Sequence, residues 1–326
     1  MGADDRQNTP SCFADRPLVD SHASTPTGAD MSKVRTKARY SRFITVAGFL
    51  GPFLVLLVVF RLIPIAEVVL TSLQQFNLLR PDDREFIGAD NFVRLASDFR
   101  FLKSMRVSAT FVIGMLVLQI PLALALAMAL RGSQRGIRRI RTIVFSPVTM
   151  SIVVVTAIWR LLLDPANGIF NGVLERLGFE GLDFITSTSQ ALPSLMLMII
   201  WYQIGFTMIL FVAGLQAIPT VYAEAAAVDG AGPWQRFRFV TLPLLSRTTV
   251  FVVVIITIFS FQQFAPAYVM TRGGPSDSTL FVVYYLYQQA FSFLDPGYAS
   301  AIAVVFLATV LVVALLQRRL LSRTDA

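Results

Sequence analysis

The chain has 326 residues, of which 55% are hydrophobic and only 15% charged, and its mean hydropathy is +0.65. A soluble domain needs a mostly polar surface, so this composition excludes one and predicts a protein of the lipid bilayer. The formal charge of +8 does not indicate nucleic-acid binding, because Lys and Arg fall in short clusters between apolar segments, as is typical of membrane topology.

The sequence also argues against several kinds of chemistry. Cys12 and His22 are the single residues of their types, so neither a disulfide framework nor a Cys/His metal cluster can form. The sequence contains no Gly-x-x-x-x-Gly-Lys-Ser/Thr loop, so we expect no ATP or other cofactor to be bound by this chain itself. We expect no catalytic residues and no metal site, and therefore no enzyme activity.

The N-terminal region is polar. Residues 1–30 are rich in Asp, Ser, Thr and Pro, which predicts a disordered tail. Residues 31–42 carry five basic residues and are typical of a short cytoplasmic leader. We therefore hypothesise that Met31 is the true start of the protein.

Six apolar segments follow, and each is close to the roughly 20 residues that a helix needs to cross the hydrocarbon core of a bilayer. We predict that all six are helices, because an isolated strand would leave backbone amides unpaired in lipid. Their predicted bounds are Phe43–Leu73, Val107–Leu130, Thr142–Leu163, Ala191–Ala217, Thr248–Met270 and Tyr298–Leu316.

The distribution of Lys and Arg predicts the orientation. With the N-terminus inside, the inner segments carry 16 basic residues and the outer loops carry 8. Both termini are therefore predicted to be cytoplasmic, including a short tail over residues 321–326. The outer loops are short, and we expect the charged residues from Arg80 to Lys103 to form a solvated outer face. Because none of these loops is large enough to form a receptor domain, we expect a separate binding protein to deliver any solute that is taken up from outside.

One polar segment interrupts the apolar pattern between the fourth and fifth predicted crossings. Glu224-Ala225-Ala226-Ala227-Val228-Asp229-Gly230 is separated by nine residues from Val240-Thr241-Leu242-Pro243. Its first part favours a short helix, its alanines allow close approach of another protein, and Gly230 can supply the positive φ that ends the helix. A stiff helix outside the bilayer, joined to two crossings, is suited to transmit movement from a cytoplasmic partner.

These residues resemble the signature loop of the membrane subunits of bacterial ABC importers, Glu-Ala-Ala, three residues, Gly, nine residues and Ile-x-Leu-Pro, with Val240 in place of Ile. The stretch Gly214-Leu215-Gln216-Ala217-Ile218-Pro219 and the motifs Phe86-Ile87-Gly88-Ala89-Asp90-Asn91-Phe92 and Thr271-Arg272-Gly273-Gly274-Pro275 are similar to the carbohydrate-uptake branch, of the maltose and glycerol-3-phosphate transporter type. The resemblance covers roughly residues 43–320.

The resemblance implies an all-α membrane protein with six transmembrane helices, the type I importer (MetI-like) permease fold, over a domain of residues 43–320. It implies a heterodimeric pore in the bacterial inner membrane, formed with a second permease subunit and served by two cytoplasmic ATPase subunits that bind ATP and Mg. A solute-binding protein or lipoprotein would deliver the solute. The coupling loop, residues 218–247, would contact the ATPase through Glu224, Ala225, Ala226, Asp229, Gly230, Leu242 and Pro243.

A solute site is predicted among the polar and aromatic side chains within the apolar segments. A buried amide needs a partner or a cavity, so Gln203 and Gln263 require an explanation, and hydrogen bonding between helices is one alternative. In the maltose-type subunits, the spans on either side of the signature loop line the sugar cavity. The resemblance therefore implies substrate contacts by Tyr202, Gln203, Phe206, Phe259, Ser260 and Gln263.

The predicted function is that of a pore-forming permease subunit that translocates a sugar or polyol-like solute. One alternative within this class is a permease for glycerol-3-phosphate or glycerophosphodiesters, which would need a basic pocket. Another class is an ion-coupled secondary transporter, which would need buried carboxylates, whereas the predicted spans contain only Glu67, near the end of the first.

Overall fold

The computed structural model describes residue 48 and residues 50–322. The predicted tail over 1–30, the leader over 31–42, the start at Met31 and residues 323–326 of the C-terminal tail lie outside the described residues. The chain divides into two units between Ile63 and Pro64. Helix α1 contributes residues to both units, and every other element belongs to the second.

Most of the described chain is helical. In chain order the elements are α1 (Leu50–Ser72), β1 (Gln74–Asn77), β2 (Arg80–Phe86), α2 (Asp90–Ser97), α3 (Phe99–Ala129), α4 (Arg135–Phe145), α5 (Ile152–Leu162), α6 (Ile169–Arg176), α7 (Ala191–Gln216), α8 (Thr220–Val228), α9 (Pro233–Arg236), α10 (Leu242–Leu244), α11 (Ser246–Phe261), α12 (Val282–Tyr287) and α13 (Pro296–Ser322). Short π-helical segments lie at Val58–Leu62, Phe237–Thr241, Pro266–Thr271 and Gln288–Ser292.

Five helical segments in the described part are long and apolar enough to cross a membrane. They are α1, α3, α7, the segment Ser246–Thr271 that begins with α11, and Pro296–Arg319 within α13. The predicted fourth, fifth and sixth crossings are confirmed to within a few residues. The second begins earlier than predicted, at Phe99, because Asp98 caps the helix and its first turns tolerate charged side chains outside the hydrocarbon.

The predicted third crossing, Thr142–Leu163, is wrong as a single straight helix. The chain bends by 97° between Arg135–Thr149 and Ile152–Leu162. Pro147 lies in the 3₁₀ turn Ser146–Thr149 that ends α4, where a proline cannot continue the α-helical hydrogen bonds. With 11 residues, α5 is about 16 Å long and too short to cross a bilayer by itself.

One glycine explains how the bend packs. A Cβ atom on Gly205 of α7 would lie 2.2 Å from the carbonyl oxygen of Val144 and 2.6 Å from the Cα of Phe145. Only a residue without a side chain lets the end of α4 approach α7 so closely. Gly214, near the end of α7, allows a second close approach. A Cβ atom there would lie 2.5 Å from Thr248 Oγ1 of α11.

A two-stranded antiparallel sheet of β1 and β2 follows α1. It is joined to α2 by the predicted motif over residues 86–92, in which Gly88 has a φ of +60°. Asn91 is buried and donates from Nδ2 to the carbonyl oxygens of Ser72 and Gln74, each at 3.0 Å. The motif therefore satisfies the last carbonyls of α1 and the first of β1 with one side chain.

The second unit has two opposite ends, defined by its long helices. The start of α3 lies at the same end as the residues after Thr271, because Arg100 bonds to Asp277. The residues that follow α3, Arg131 and Gly132, line one cavity with Glu224 and Arg236 of the loop between α7 and α11. With 31 residues, α3 is about 46 Å long, which separates these two ends.

Candidate functional site

The loop between α7 and α11, residues 218–247, folds as a helical hairpin, called the hairpin below. Its first helix, α8, follows Pro219 and ends in a Schellman motif, in which Ala231 N–H donates to Ala226 O at 2.9 Å and Gly230 N–H donates to Ala227 O at 3.1 Å. Gly230 has a φ of +81°. The predicted helix and its predicted end at Gly230 are confirmed.

The hairpin returns towards the bundle through a second, shorter set of helical turns. Gly232 N–H donates to Gln235 Oε1 at 2.8 Å, and Pro233 occupies the first turn of α9, which starts this return. A π-helical segment then leads into α10, which contains Leu242 and Pro243. The end of α8 and the start of α9 are thus each closed by hydrogen bonds between residues of the hairpin itself.

The surface of the hairpin is unusually apolar for a solvent-facing loop. No residue of α8 is buried, and Val228 is 88% exposed. On the return segment, Trp234 is 71% and Phe239 is 74% exposed. Glu224, Ala225 and Gly230 are exposed as well, and a Cβ on Gly230 would meet no atom within 4 Å. A rigid backbone with an exposed apolar face is typical of a surface that binds another protein.

A groove of about 530 Å³ runs beside α8. Its lining includes Ala223, Glu224 and Ala227 of α8, together with Arg131 and Arg236. One carboxylate and two guanidinium groups therefore share the groove. Of the predicted contact residues, Glu224 lines this groove together with Thr241, which directly precedes Leu242 and Pro243 of α10.

Five of the six predicted solute residues lie on two helices that pack against each other, α7 and α11, and Gln263 follows the end of α11. The rings of Phe206 and Phe259 lie with centroids 6.2 Å apart, so the structure brings these two residues together. Tyr202 differs from the others, because its hydroxyl donates to Met150 O at 2.9 Å, just beyond the bend that ends α4. This bond ties the side chain of Tyr202 to the backbone that follows the bend, and its solute contact stays a prediction.

The crossing that begins with α11 is broken. The α-helical hydrogen bonds stop at Gln262, and a π-helical segment resumes at Pro266. Gln263 donates from its side-chain Nε2 to the carbonyl oxygen of Phe259 at 3.0 Å, which replaces the backbone donor that the break removes. Irregular backbone at membrane depth is tolerated where it is buried in protein or lines a cavity, and transporters bind solutes at such breaks.

A buried polar cluster lies next to the predicted solute residues. Gln119 of α3 donates from Nε2 to Thr207 Oγ1 at 2.8 Å, and the Thr207 hydroxyl donates to Gln203 O at 3.3 Å. The amide oxygens of Gln119 and Gln203 and the hydroxyl of Ser260 are buried with no hydrogen-bond partner. Such acceptors are costly unless a donor reaches them.

Gln119 was not among the predicted solute residues. Its amide within an apolar segment is a visible signal, but only the packing of α3 on α7 shows that it reaches Thr207. A sequence-based argument starting from the signature loop considers only the two adjacent crossings and so leaves α3 out.

The opposite end of the second unit carries a network that we call the polar clamp, formed by Asp98, Arg100, Asp277, Tyr285 and Tyr298. Asp98 accepts hydrogen bonds from the backbone amides of Arg100 and Phe101, and its second oxygen accepts from the hydroxyls of Tyr285 and Tyr298. Arg100 donates twice to Asp277, at 2.9 and 3.2 Å. Within the predicted solvated face from Arg80 to Lys103, Asp98 is only partly exposed and bonds to Tyr285 and Tyr298, whereas Arg100 pairs with Asp277 and keeps its side chain 41% exposed.

The clamp shifts the ionisation of its central carboxyl. Partial burial raises the pKa of Asp98, but the hydrogen bonds from the two tyrosines and two backbone amides outweigh it, and the pKa lies below its ordinary value. For Tyr285, burial and its hydrogen bond to Asp98 raise the pKa well above the usual range. Asp98 is therefore ionised and both tyrosines act as donors at neutral pH.

The fold and the hairpin together define a class: a multi-pass helical membrane permease. The family described as the binding-protein-dependent transport system inner membrane component matches residues 119–326, and the chain belongs to this family. The chain is accordingly a transport component and not an enzyme. The predicted helical permease fold is confirmed.

Relatives and a solved structure agree with this assignment. The diacetylchitobiose uptake system permease protein NgcF of Streptomyces coelicolor is 32% identical, covering 86% of this chain and 83% of that protein. The sn-glycerol-3-phosphate transport system permease protein UgpA of Brucella abortus is 32% identical, covering 84% and 93%. A bacterial alginate ABC transporter, solved with an alginate pentasaccharide-bound periplasmic protein, shares the fold with a TM-score of 0.77 at 22% identity, covering 88% and 96%.

Proposed function

We propose that this chain forms one half of the pore of an ATP-driven importer, paired with a second permease subunit and served by two cytoplasmic ATPase subunits. It lies in the inner membrane of a bacterium, with its termini and the hairpin in the cytoplasm. A binding protein on the other side delivers the solute to the end that carries the polar clamp. ATP and Mg are held by the ATPase subunits.

The hairpin is the observation that carries this proposal. Its helix is closed by its own backbone at Gly230, buries none of its side chains, and presents Val228, Trp234 and Phe239 to solvent. A soluble ATPase that covers this face would bury those side chains and gain a rigid lever on α7 and α11, which enter and leave the hairpin. The excess of basic residues on the same side supports a cytoplasmic position.

The solute is a neutral sugar or polyol. The buried polar cluster offers the unpartnered amide oxygens of Gln119 and Gln203, which need hydrogen-bond donors. The orientation of the Gln119 amide follows from its hydrogen bonds. The Thr207 hydroxyl already donates to Gln203 O, so the Thr207 oxygen can only accept, and it accepts from Nε2 of Gln119. Hydroxyl groups of a sugar are donors, and the rings of Phe206 and Phe259 suit its apolar faces.

A permease for glycerol-3-phosphate is the second candidate, and the similarity to UgpA favours it. A phosphate dianion offers acceptors only, and unpartnered amide oxygens repel it. No Lys or Arg stands among the predicted solute residues, all of which the structure describes. The polar cluster therefore favours the neutral solute.

Paired glycine substitutions test the role of the hairpin. Gly230 and Gly178 both have positive φ, +81° and +83°, and neither has an atom within 4 Å of its would-be Cβ. Replacing either by Leu costs about 1–2 kcal/mol of backbone strain. We expect Gly230→Leu to abolish ATP-driven uptake in proteoliposomes while Gly178→Leu keeps it. Equal activity of the two variants would refute a coupling role for the hairpin.

A second pair of substitutions tests the solute site. We expect Gln203→Ala to raise the KM for uptake of a neutral oligosaccharide such as diacetylchitobiose roughly tenfold, because one hydrogen bond is lost. Tyr202→Phe should lower the thermal stability by about 1 kcal/mol and leave KM unchanged, because its hydroxyl bonds to Met150 O. Faster uptake of sn-glycerol 3-phosphate than of any neutral sugar would favour the second candidate.

A further inference from the structure

Beyond the broken turn of the fifth crossing lies a group of five rings that no part of the proposed function uses. We call Phe264, Tyr268, Tyr284, Tyr287 and Phe291 the aromatic cluster. Phe264 stacks on Tyr268 at 5.2 Å with an interplanar angle of 15°, and Tyr287 lies 5.2 Å from Phe264, 5.5 Å from Tyr268 and 5.0 Å from Phe291.

The aromatic cluster is only partly covered. Tyr284 is buried and anchors the group, whereas Tyr268 is 44% and Phe291 is 63% exposed. The cluster joins two elements that are distant in sequence, the end of the fifth crossing and the segment from α12 to Ser292. Its exposed members therefore form a surface of two rings that are held in place by three packed ones.

Two amide side chains lie close in sequence to rings of the cluster. Gln262 is exposed at the break of the fifth crossing, two residues before Phe264. Gln288 lies four residues after Tyr284, which places it one helical turn away, and its amide oxygen is buried with no hydrogen-bond partner. A buried acceptor of this kind needs a donor, which an ordered water or a bound molecule can supply.

The chemistry of these groups matches a sugar ring. The apolar C–H faces of a pyranose stack on aromatic rings, and its hydroxyl groups donate hydrogen bonds to amide oxygens. A lipid acyl chain would leave the Gln288 oxygen without a donor, and an anion would bring only further acceptors. Aromatic rings with phenolic hydroxyls and nearby amides thus favour a neutral saccharide over a lipid acyl chain or an anion.

We propose that the aromatic cluster, with Gln262 and Gln288, is a second saccharide-contact site, separate from the one at Gln203, Phe206 and Phe259. It lies nearer to the end of the polar clamp, because it follows the break at Gln262 in the same crossing. The proposal rests on the proposed function in taking the transported solute to be a neutral sugar. A sugar released at the clamp end contacts the aromatic cluster before it reaches the polar cluster of Gln119 and Gln203.

Saturation-transfer NMR tests this site directly. The full-length chain, with any membrane subunits that copurify, is placed in lipid nanodiscs, which contain no sugar headgroups. The probes are methyl β-D-glucopyranoside and diacetylchitobiose, with sn-glycerol 3-phosphate as the anionic comparison. We expect transfer to the C–H protons of both sugars. We expect Tyr268→Leu/Phe291→Leu to weaken binding roughly three- to tenfold per ring.

The chain offers a matched control. Phe251 lies on the same crossing as Tyr268, Phe293 follows Phe291 by two residues, and both are 55% exposed outside the aromatic cluster. The double variant Phe251→Leu/Phe293→Leu should bind the sugars as the parent does. Gln288→Leu tests the same site without removing a ring, and should weaken binding roughly threefold through loss of one acceptor.

The outcomes separate this proposal from the proposed function. Equal signals from the sugars and the anion, or equal losses in the cluster variant and its control, would overturn the second site. Neither result touches the coupling test at Gly230 or the uptake test at Gln203. Conversely, a saturation-transfer signal from the sugars that depends on Tyr268 and Phe291 supports the second site, even if Gln203→Ala leaves sugar uptake unchanged.

Discussion

The polar clamp and the hairpin occupy opposite ends of the same helices and are built in opposite ways. In the clamp, Asp98 receives four hydrogen bonds from residues as far away in sequence as Tyr298. In the hairpin, the hydrogen bonds that shape α8 and its end join residues only a few positions apart, and apolar side chains such as Val228 face solvent. The hydrogen bonds that define the clamp are long-range, and those that shape the hairpin are local.

This difference implies that the clamp mainly determines the stability of the protein, whereas the hairpin mainly determines its coupling to the ATPase. A network of long-range hydrogen bonds contributes to the free energy of unfolding, and removing its central group leaves several partners unsatisfied. A hairpin that is shaped by local hydrogen bonds contributes little to the stability of the helical bundle. Its exposed side chains are free to contact a partner protein. Substitutions in the clamp should therefore change stability, whereas substitutions in the hairpin should change transport.

The largest expected effect is that of Asp98→Ala. This substitution removes the N-cap of α3 and the acceptor for the hydroxyls of Tyr285 and Tyr298, and should cost about 3–5 kcal/mol of stability. The thermal unfolding midpoint of the purified protein measures it. Asp83→Ala serves as control, because Asp83 is an exposed carboxylate of β2. Similar midpoints for the two variants would show that the clamp does not hold this end together.

The next effect concerns the hairpin. Val228→Lys places a charge on the most exposed apolar side chain of α8, and should weaken ATPase binding roughly tenfold while unfolding changes by less than about 0.5 kcal/mol. Copurification of the ATPase and the unfolding midpoint give the two readouts. Val93→Lys is the matched control, since Val93 is an exposed residue of α2 at the clamp end. A loss of stability in Val228→Lys alone would contradict the separation.

The smallest effect concerns the ion pair of the clamp. Arg100 and Asp277 have side chains that are 41% and 30% exposed, so water and salt screen their attraction. A double-mutant cycle with Arg100→Ala and Asp277→Ala should give a coupling of about 0.5–1 kcal/mol, which decreases as salt is added. An additive pair of substitutions would mean that this contact contributes nothing to the clamp.

The success of the sequence-based predictions follows the range of the interactions involved. The crossings at α7, α11 and α13 and the helix end at Gly230 depend on local apolar composition and local backbone preference, and were predicted well. The bend after α4 was missed although Pro147 marks it, because an apolar run gives no indication of direction. The contact roles proposed for Glu224 and its neighbours stay predictions.

The sequence by itself determined that this protein lives in a bilayer, where most of its long helices lie, and that a helical hairpin interrupts them, since each depends on composition or on residues a few positions apart. Only the tertiary structure showed that Asp98 joins α3 to Tyr285 and Tyr298, that Gln119 reaches Thr207, and that the fifth crossing breaks beside an aromatic cluster. Those contacts join residues up to 200 positions apart, and their geometry exists only once the helices have packed.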